Sequence, residues 1–134
     1  MRLSFLIICL TAVIAGCSKS DVKPSASLTG TWELRHYSGT IAGVNTDLPK
    51  GNGTLIQFAG DSTFKHFTAL KQDNQGTYRI VKDGITYANK KYDAIYFNGG
   101  ADAASFTIHS DSLIIDNANI YADGATSVYV RKAN

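Results

Sequence analysis

The residues that could do chemistry in this 134-residue chain are few and widely spaced. The three histidines, His36, His66 and His109, have neither the H-x-H nor the H-x₃-H spacing that brings two imidazoles to one metal ion. Glu33 is the only glutamate, and most aspartates fall in predicted turns, where a carboxylate caps its own backbone. No serine lies in a G-x-S-x-G motif, and no two acids are marked as a catalytic pair. We therefore predict no catalytic residue, no metal site and no cofactor, and a protein that is not an enzyme.

Cys17 is the one residue whose position indicates covalent chemistry. It follows a positive charge at Arg2, an apolar run over residues 3–14, and the small residues Ala15 and Gly16. This order of charged, apolar and small residues is typical of a signal peptide. The apolar run is about a dozen residues long, which is too short to span a bilayer comfortably as a helix.

The segment V-I-A-G-C at residues 13–17 resembles the lipobox of bacterial lipoproteins. The resemblance implies cleavage before Cys17, a thioether-linked lipid on its sulfur, and an acyl chain such as palmitate on its new amine. The protein would then be anchored to a membrane by this lipid. We expect the outer membrane, on its periplasmic or its cell-surface face. An ordinary secretion signal with an incidental cysteine is the alternative.

The composition divides the chain into a predicted signal peptide, a lipidated cysteine with a polar flexible tether, and one domain, at residues 1–16, 17–27 and 28–134. Cys9 would leave with the signal and Cys17 would carry lipid, so the domain has no cysteine for a disulfide, a metal or a nucleophile. The signal contains Arg2, one of 13 basic residues, and none of the 11 acids. The remainder is nearly neutral, which excludes a basic field for nucleic acid.

Beyond the tether, apolar and polar residues alternate in short segments. In the first, Thr31–Tyr37, one side carries Trp32, Leu34 and His36 while the other carries Glu33 and Arg35. The same period of two recurs at residues 54–59, 62–70, 77–82, 85–88, 94–97, 105–109, 112–116 and 127–132. This pattern, rich in β-branched and aromatic residues, predicts half-buried antiparallel strands.

Turn signals separate these segments. Gly60-Asp61, Asp83-Gly84 and Asp123-Gly124 are pairs typical of tight turns, whereas residues 38–52 are too irregular to predict a helix. A meander of eight or nine strands best avoids exposed edges by closing on itself. We therefore predict an all-β fold, an eight-stranded antiparallel up-and-down barrel, with a two-sheet sandwich as the alternative.

The first and last predicted strands carry a recognisable pair of features. Gly30 and Trp32 form a G-x-W motif, and Arg131 is a cation on the final strand. The pair resembles the calycin superfamily of lipocalins and fatty-acid-binding proteins, and more narrowly the lipocalin-like domains of short lipoproteins of Bacteroidota. The resemblance implies that Trp32 closes one end of the barrel while Arg131 packs over its indole.

An eight-stranded barrel is either filled by its own side chains or holds one small ligand. The apolar residues predicted to face inward and to line such a site are Leu34, Ile56, Phe58, Phe64, Ile80, Ile95, Phe106, Ile108, Leu113 and Val128. The sequence thus predicts a lipid-anchored, monomeric, non-catalytic binding module for a small apolar or amphipathic ligand. The alternative is a structural or interaction lipoprotein with a filled barrel, which binds protein or glycan through its loops or outer face. A cavity of at least about 300 Å³ would favour the first.

Overall fold

The computed structural model describes residues 27–39, 43–118 and 120–133. The predicted signal peptide, Cys17 and the tether as far as residue 26 lie outside the described residues. Within the described ranges every regular element is a strand. They contain no helix with the length and apolar character needed to cross a membrane.

The described residues form nine strands that make one sheet. They are β1 Gly30–Gly39, β2 Asn45–Asp47, β3 Leu55–Phe58, β4 Thr63–Thr68, β5 Lys71–Tyr87, β6 Lys90–Phe97, β7 Ala103–His109, β8 Ser112–Asp116 and β9 Ala125–Arg131. The short β2 pairs only with β1, and the other eight follow one another as antiparallel neighbours. A further pairing of β1 with β9 closes the sheet. The predicted all-β, eight-stranded antiparallel barrel is confirmed, with one extra strand, and the sandwich is excluded.

The closing ladder between β1 and β9 defines the two ends of the barrel. Trp32 lies opposite Arg131 at one end, and Gly39 lies opposite Ala125 at the other. We call these the closed end and the mouth. Between Leu34 and His36 the register shifts through a β-bulge. Because side chains alternate with a period of two, this bulge moves His36 to the outer face, and the expectation that it shares the side of Trp32 is wrong.

In two hairpins, β4–β5 and β5–β6, the strands are connected by two-residue turns without glycine. Residues 69–70 have φ angles of 51° and 64°, and residues 88–89 have φ angles of 47° and 62°. Two successive positive φ angles match the right-handed twist of the flanking strands. The turn predicted at residues 83–84 is wrong, since these residues lie inside β5 at a register shift between Val81 and Ile85.

Aromatic and aliphatic side chains fill the barrel toward its closed end. The largest fully buried side chains are Trp32, Phe58, Ile95 and Leu113. Phe58 meets Tyr78 edge to face with ring centroids 5.1 Å apart, and Phe64 meets Phe97 in the same way at 4.9 Å. Edge-to-face pairs contribute about 0.5–1.5 kcal/mol each beyond their buried area.

Candidate ligand site at the mouth of the barrel

The closed end is held by one tryptophan and one arginine. The indole Nε1 of Trp32 donates a 2.8 Å hydrogen bond to the carbonyl oxygen of Leu28, which folds the preceding chain under the barrel. The guanidinium carbon of Arg131 lies 4.0 Å from the centroid of the Trp32 ring. The same guanidinium donates to the carbonyl oxygens of Thr29 and Ser27, at 3.0 and 2.5 Å. Stacking and hydrogen bonding together seal this end.

Gly30 is required by the close approach of Arg131. Its φ is +137°, a conformation that side chains disfavour, and a Cβ at this position would lie 2.7 Å from Nη1 of Arg131. The structure therefore brings Gly30, Trp32 and Arg131 together at the closed end, where the guanidinium covers the indole. Gly30 also lines an open cavity of about 580 Å³ between β1 and the β3–β4 turn.

Most residues predicted to line a ligand site are instead part of a packed core. Five are buried in it, Ile56, Phe58, Phe64, Ile95 and Leu113. Three more are partly buried against it, Leu34, Phe106 and Ile108. None of the cavities described below is lined by Trp32, Ile95 or Leu113. In the described residues the closed half of the barrel is filled.

Ile80 and Val128 are not part of this core. Ile80 lies opposite Ile95 but is 44% exposed, because it sits where the β5–β6 hairpin extends past the barrel wall. Val128 lies on the outer face opposite Ile114, and the inward position of β9 is held by its neighbour Tyr129, which is buried. Val128 was predicted on the wrong face, because β9 alternates without a break and its inward positions are those of Tyr129 and Arg131.

At the mouth, the inward-facing positions carry small side chains. Ala104 lies opposite Ile95, and Ser127 lies opposite Ile115. These small residues leave a cavity of about 340 Å³ that opens to solvent. Its apolar wall includes Phe97, Ala104 and Ile115, and its polar rim includes Asp102 and Asn117. A smaller cavity of about 240 Å³ shares these two rim residues and continues between Tyr121 and Asp123.

The loop between β8 and β9 shapes this mouth through Asn117. Its side-chain oxygen accepts a hydrogen bond from the Ala125 amide at 2.6 Å, and its carbonyl oxygen accepts the amides of Ile120 and Tyr121 at 3.0 Å. The Tyr121 hydroxyl in turn accepts the Ala103 amide at 3.2 Å. These hydrogen bonds join the β8–β9 loop to the first residue of β7, next to the β6–β7 loop. The rim of the cavity is therefore held in place, which favours a preformed site.

The mouth is electrostatically one-sided. The β6–β7 and β8–β9 loops, residues 98–102 and 117–124, contain Asp102 and Asp123 and neither lysine nor arginine. Asp102 lines both cavities and Asp123 the smaller one, and within the described chain neither forms an ion pair. A concave surface lined by one sign of charge concentrates ligands of the opposite sign.

Two histidines that line neither mouth cavity form separate pairs with aspartates. Nδ1 of His36 lies 2.7 Å from Asp47, and Nδ1 of His66 lies 2.6 Å from Asp73. Neither pair was predicted from the sequence, although His66 and Asp73 flank a two-residue hairpin turn and so could have been matched across it. In the part of the chain that the structure describes, no three His, Cys, Asp or Glu side chains converge as metal ligands.

Comparison with family models, curated proteins and solved structures found no match for this chain.

Proposed function

We propose that this chain is a membrane-anchored, non-catalytic binding module that holds a small amphipathic ligand in the mouth of its barrel. The observation that carries the proposal is the gradient of side-chain size along the barrel. Bulky residues fill the closed end, while Ala104, Ala125 and Ser127 leave a cavity of about 340 Å³ at the other. That volume lies within the range of small-molecule sites, at about 300–1,000 Å³.

The lining of the cavity favours a ligand with two different ends. An apolar part would contact Phe97, Ala104 and Ile115. A polar head at the rim would meet Asp102 and Asn117, where a carboxylate and an amide accept or donate hydrogen bonds. Because the loops at residues 98–102 and 117–124 contain no lysine or arginine, the head we expect is uncharged or positive. The filled closed end favours a shallow ligand over a long acyl chain.

Native mass spectrometry of the full chain purified from its host membranes tests this proposal. The parent protein should carry a small molecule, and the variant Ala104→Phe, which fills the cavity, should carry none. Thr107→Phe is the matched control, because Thr107 is exposed on the same strand and lines neither mouth cavity. If Ala104→Phe does not fold, the variant Ser127→Leu replaces it, because Ser127 lines the same cavity.

The uncharged dye N-phenyl-1-naphthylamine provides an independent readout. Its fluorescence should rise with the parent and with Thr107→Phe, and should remain low with Ala104→Phe and Ser127→Leu. The proposal is wrong if no small molecule accompanies several preparations and dye binding is the same in all four proteins.

Membrane anchoring rests on Cys17 and its five-residue motif, and it is tested separately. The Cys17→Ala variant should move from the membrane fraction to the soluble fraction and should lose incorporation of labelled palmitate. Cys9→Ala serves as the control, since that residue precedes the proposed cleavage site. If Cys17→Ala and the parent remain equally in the membrane, lipid anchoring is wrong, whatever the barrel binds.

The outer face of the β5–β6 hairpin supports a second candidate, binding of a protein or a glycan. Tyr92 lies opposite Ile85 there, and Tyr87 and Val81 are 46% and 37% exposed. Tyrosine offers a large contact area at a low entropy cost. If a Tyr87→Ser/Tyr92→Ser variant loses a bound partner while Ala104→Phe retains it, the outer face and not the mouth is the functional surface.

A further inference from the structure

A groove separate from the mouth runs along the outer wall of the barrel, where β1 meets β9. Its volume is about 420 Å³. Glu33 and Val130, which lie opposite each other on the two strands, form its floor. Lys50 and Gly51 line one side, and Lys132 lies at the other, beyond the end of β9. Three different parts of the chain therefore converge on it.

The side formed by residues 48–54 is fixed to β1 by many hydrogen bonds. The Leu48 amide donates to the Arg35 carbonyl at 2.8 Å, and Nε of Arg35 donates to the Leu48 carbonyl at 3.1 Å. The side-chain amide of Asn52 donates to the carbonyls of Leu34 and Pro49, at 2.8 and 2.7 Å. The groove is thus preformed, which lowers the entropic cost of binding.

Charge in the groove does not balance. The carboxylate of Glu33 is nine-tenths buried, accepts the Gly51 amide at 3.0 and 3.1 Å, and lies 3.8 Å from Arg35. Arg131 is committed to Trp32 and to backbone carbonyls at the closed end. Lys50 and Lys132 are exposed and have no ion pair within the described residues. Two positive charges are left to face the groove.

We propose that this groove binds a phosphate group. A phosphate monoester carries a charge of about −1.5 to −2 at neutral pH and three acceptor oxygens, which matches two unpaired ammonium groups beside a fixed guanidinium. The groove adjoins the closed end, where the described chain begins at Ser27 beside Arg131. A soluble phosphate supplies this chemistry in full, and an anionic phospholipid headgroup supplies it as a phosphodiester with one negative charge and two free oxygens. The experiment separates the two.

Lysine footprinting of the full chain in nanodiscs tests the proposal. The protein is acetylated briefly at constant ionic strength, in neutral phosphatidylcholine, in neutral lipid with added inorganic phosphate, and in discs containing phosphatidylglycerol. Labelling of Lys50 and Lys132 should fall roughly threefold when the phosphate concentration is twice the dissociation constant, by simple mass action. Lys71 and Lys82 are the internal controls, because both are exposed on β5 and line none of this groove.

The outcomes are distinct. Protection by free phosphate identifies a soluble ligand, and protection only in phosphatidylglycerol discs identifies a lipid headgroup. Equal change at all four lysines indicates general screening and overturns the proposal, as does no change at any of them. In a second measurement, broadening of the ³¹P signal of inorganic phosphate should be lost in Lys50→Gln/Lys132→Gln and retained in Lys71→Gln/Lys82→Gln. Retention in both double variants contradicts the phosphate site independently.

Discussion

Arg131 is the single residue on which the closed end of the barrel depends most. It stacks on Trp32 and also binds the backbone of the chain that precedes β1. We expect Arg131→Ala to lower the free energy of unfolding by about 2–4 kcal/mol, from a cation–π contact of about 1 kcal/mol and two solvent-exposed hydrogen bonds of about 0.5–1.5 kcal/mol each. Arg131→Lys should recover less than half of this, because an ammonium group lacks the planar fork.

Urea unfolding followed by tryptophan fluorescence measures this loss directly. Trp32 is the only tryptophan, so the signal reports on the closed end itself. Lys132→Ala is the matched control, since Lys132 is the neighbouring cation and is exposed. Equal stability of Arg131→Ala and the parent would show that the stacked arrangement contributes nothing.

At the residue scale, the sequence predicted most of the inward positions of the barrel core. Trp32 and Arg131, the pair that the G-x-W resemblance implied, lie opposite each other in the closing ladder. Tyr129 was missed in favour of Val128, although β9 alternates without a break and Arg131 lies on the same side of that strand as Tyr129. On β1, the bulge after Leu34 turns His36 to the outer face, and no residue type marks this bulge in the sequence.

At the scale of elements, the hairpins were harder to predict than the strands. Residues 69–70 and 88–89 make tight turns from Ala, Leu and Asn, whereas Asp83-Gly84, the stronger turn signal, lies within β5. A Cβ on Gly84 would lie 2.7 Å from that of Ala94, so this glycine serves close packing at a bulge and not a turn. Glycine alone does not distinguish these two uses.

The β4–β5 hairpin should depend on pH through Asp73. The hydroxyl of Thr68 donates to this carboxylate at 2.6 Å and His66 lies beside it, and both contacts hold the pKa of Asp73 below its usual value of 3.8. Because the pKa of Asp73 is lower in the folded than in the unfolded state, its ionised carboxylate stabilises the fold at pH values above the unfolded-state pKa. This contribution is lost as the pH falls through the folded-state pKa. Stability should therefore decline below about pH 4.

Thr68→Val tests this contribution, because it removes the largest cause of the shift. The variant should be less stable than the parent at pH 7. The difference should shrink as the pH falls through the pKa of Asp73, because its carboxylate then becomes protonated in both proteins. Thr86→Val is the control on the next hairpin, where Thr86 is exposed. A difference that does not vary with pH would assign the effect to packing instead.

The loop at the mouth should be sensitive to Gly124. A Cβ at this position would collide with the carbonyl oxygen of Asn117 and with Cα of Ala118, and both are backbone atoms that cannot turn aside. We expect Gly124→Ala to cost about 1–3 kcal/mol, as overpacking does elsewhere. Gly60→Ala should cost far less, because nothing lies within 4 Å of its Cβ position. Urea midpoints of the two variants check this, and equal midpoints would contradict it.

For the whole molecule, the order of strands relates the two proposed sites to the anchor. The described chain begins at the closed end, where Ser27 accepts a hydrogen bond from Arg131, and Ala125 marks the mouth at the other end of the same ladder. If Cys17 carries lipid, the tether joins the barrel at its closed end. The mouth then opens at the end of the barrel away from the lipid. The groove proposed to bind phosphate lies beside the closed end, near the attachment.

Closure of the whole barrel should weaken at alkaline pH through Tyr129. This residue lies opposite Leu34 on β1 and Leu113 on β8, so its ring packs where the last strand joins both neighbours. Burial raises the pKa of the Tyr129 phenol above its usual value of 10.0, and a hydrogen bond to Ser127 only partly opposes this. A raised pKa means that the neutral phenol is favoured in the folded state. The stability that the neutral phenol contributes is therefore complete at pH values below the unfolded-state pKa of Tyr129. It is lost as the pH rises through the folded-state pKa.

Urea unfolding between about pH 9 and pH 12 tests this dependence on Tyr129. The parent should lose more stability over this range than Tyr129→Phe, which keeps the ring and cannot ionise. Tyr37→Phe is the matched control, because Tyr37 lies on the same β1–β9 ladder but is 37% exposed, and this variant should lose stability as the parent does. Equal losses in the parent and Tyr129→Phe would mean that another group governs the opening of the barrel in alkali.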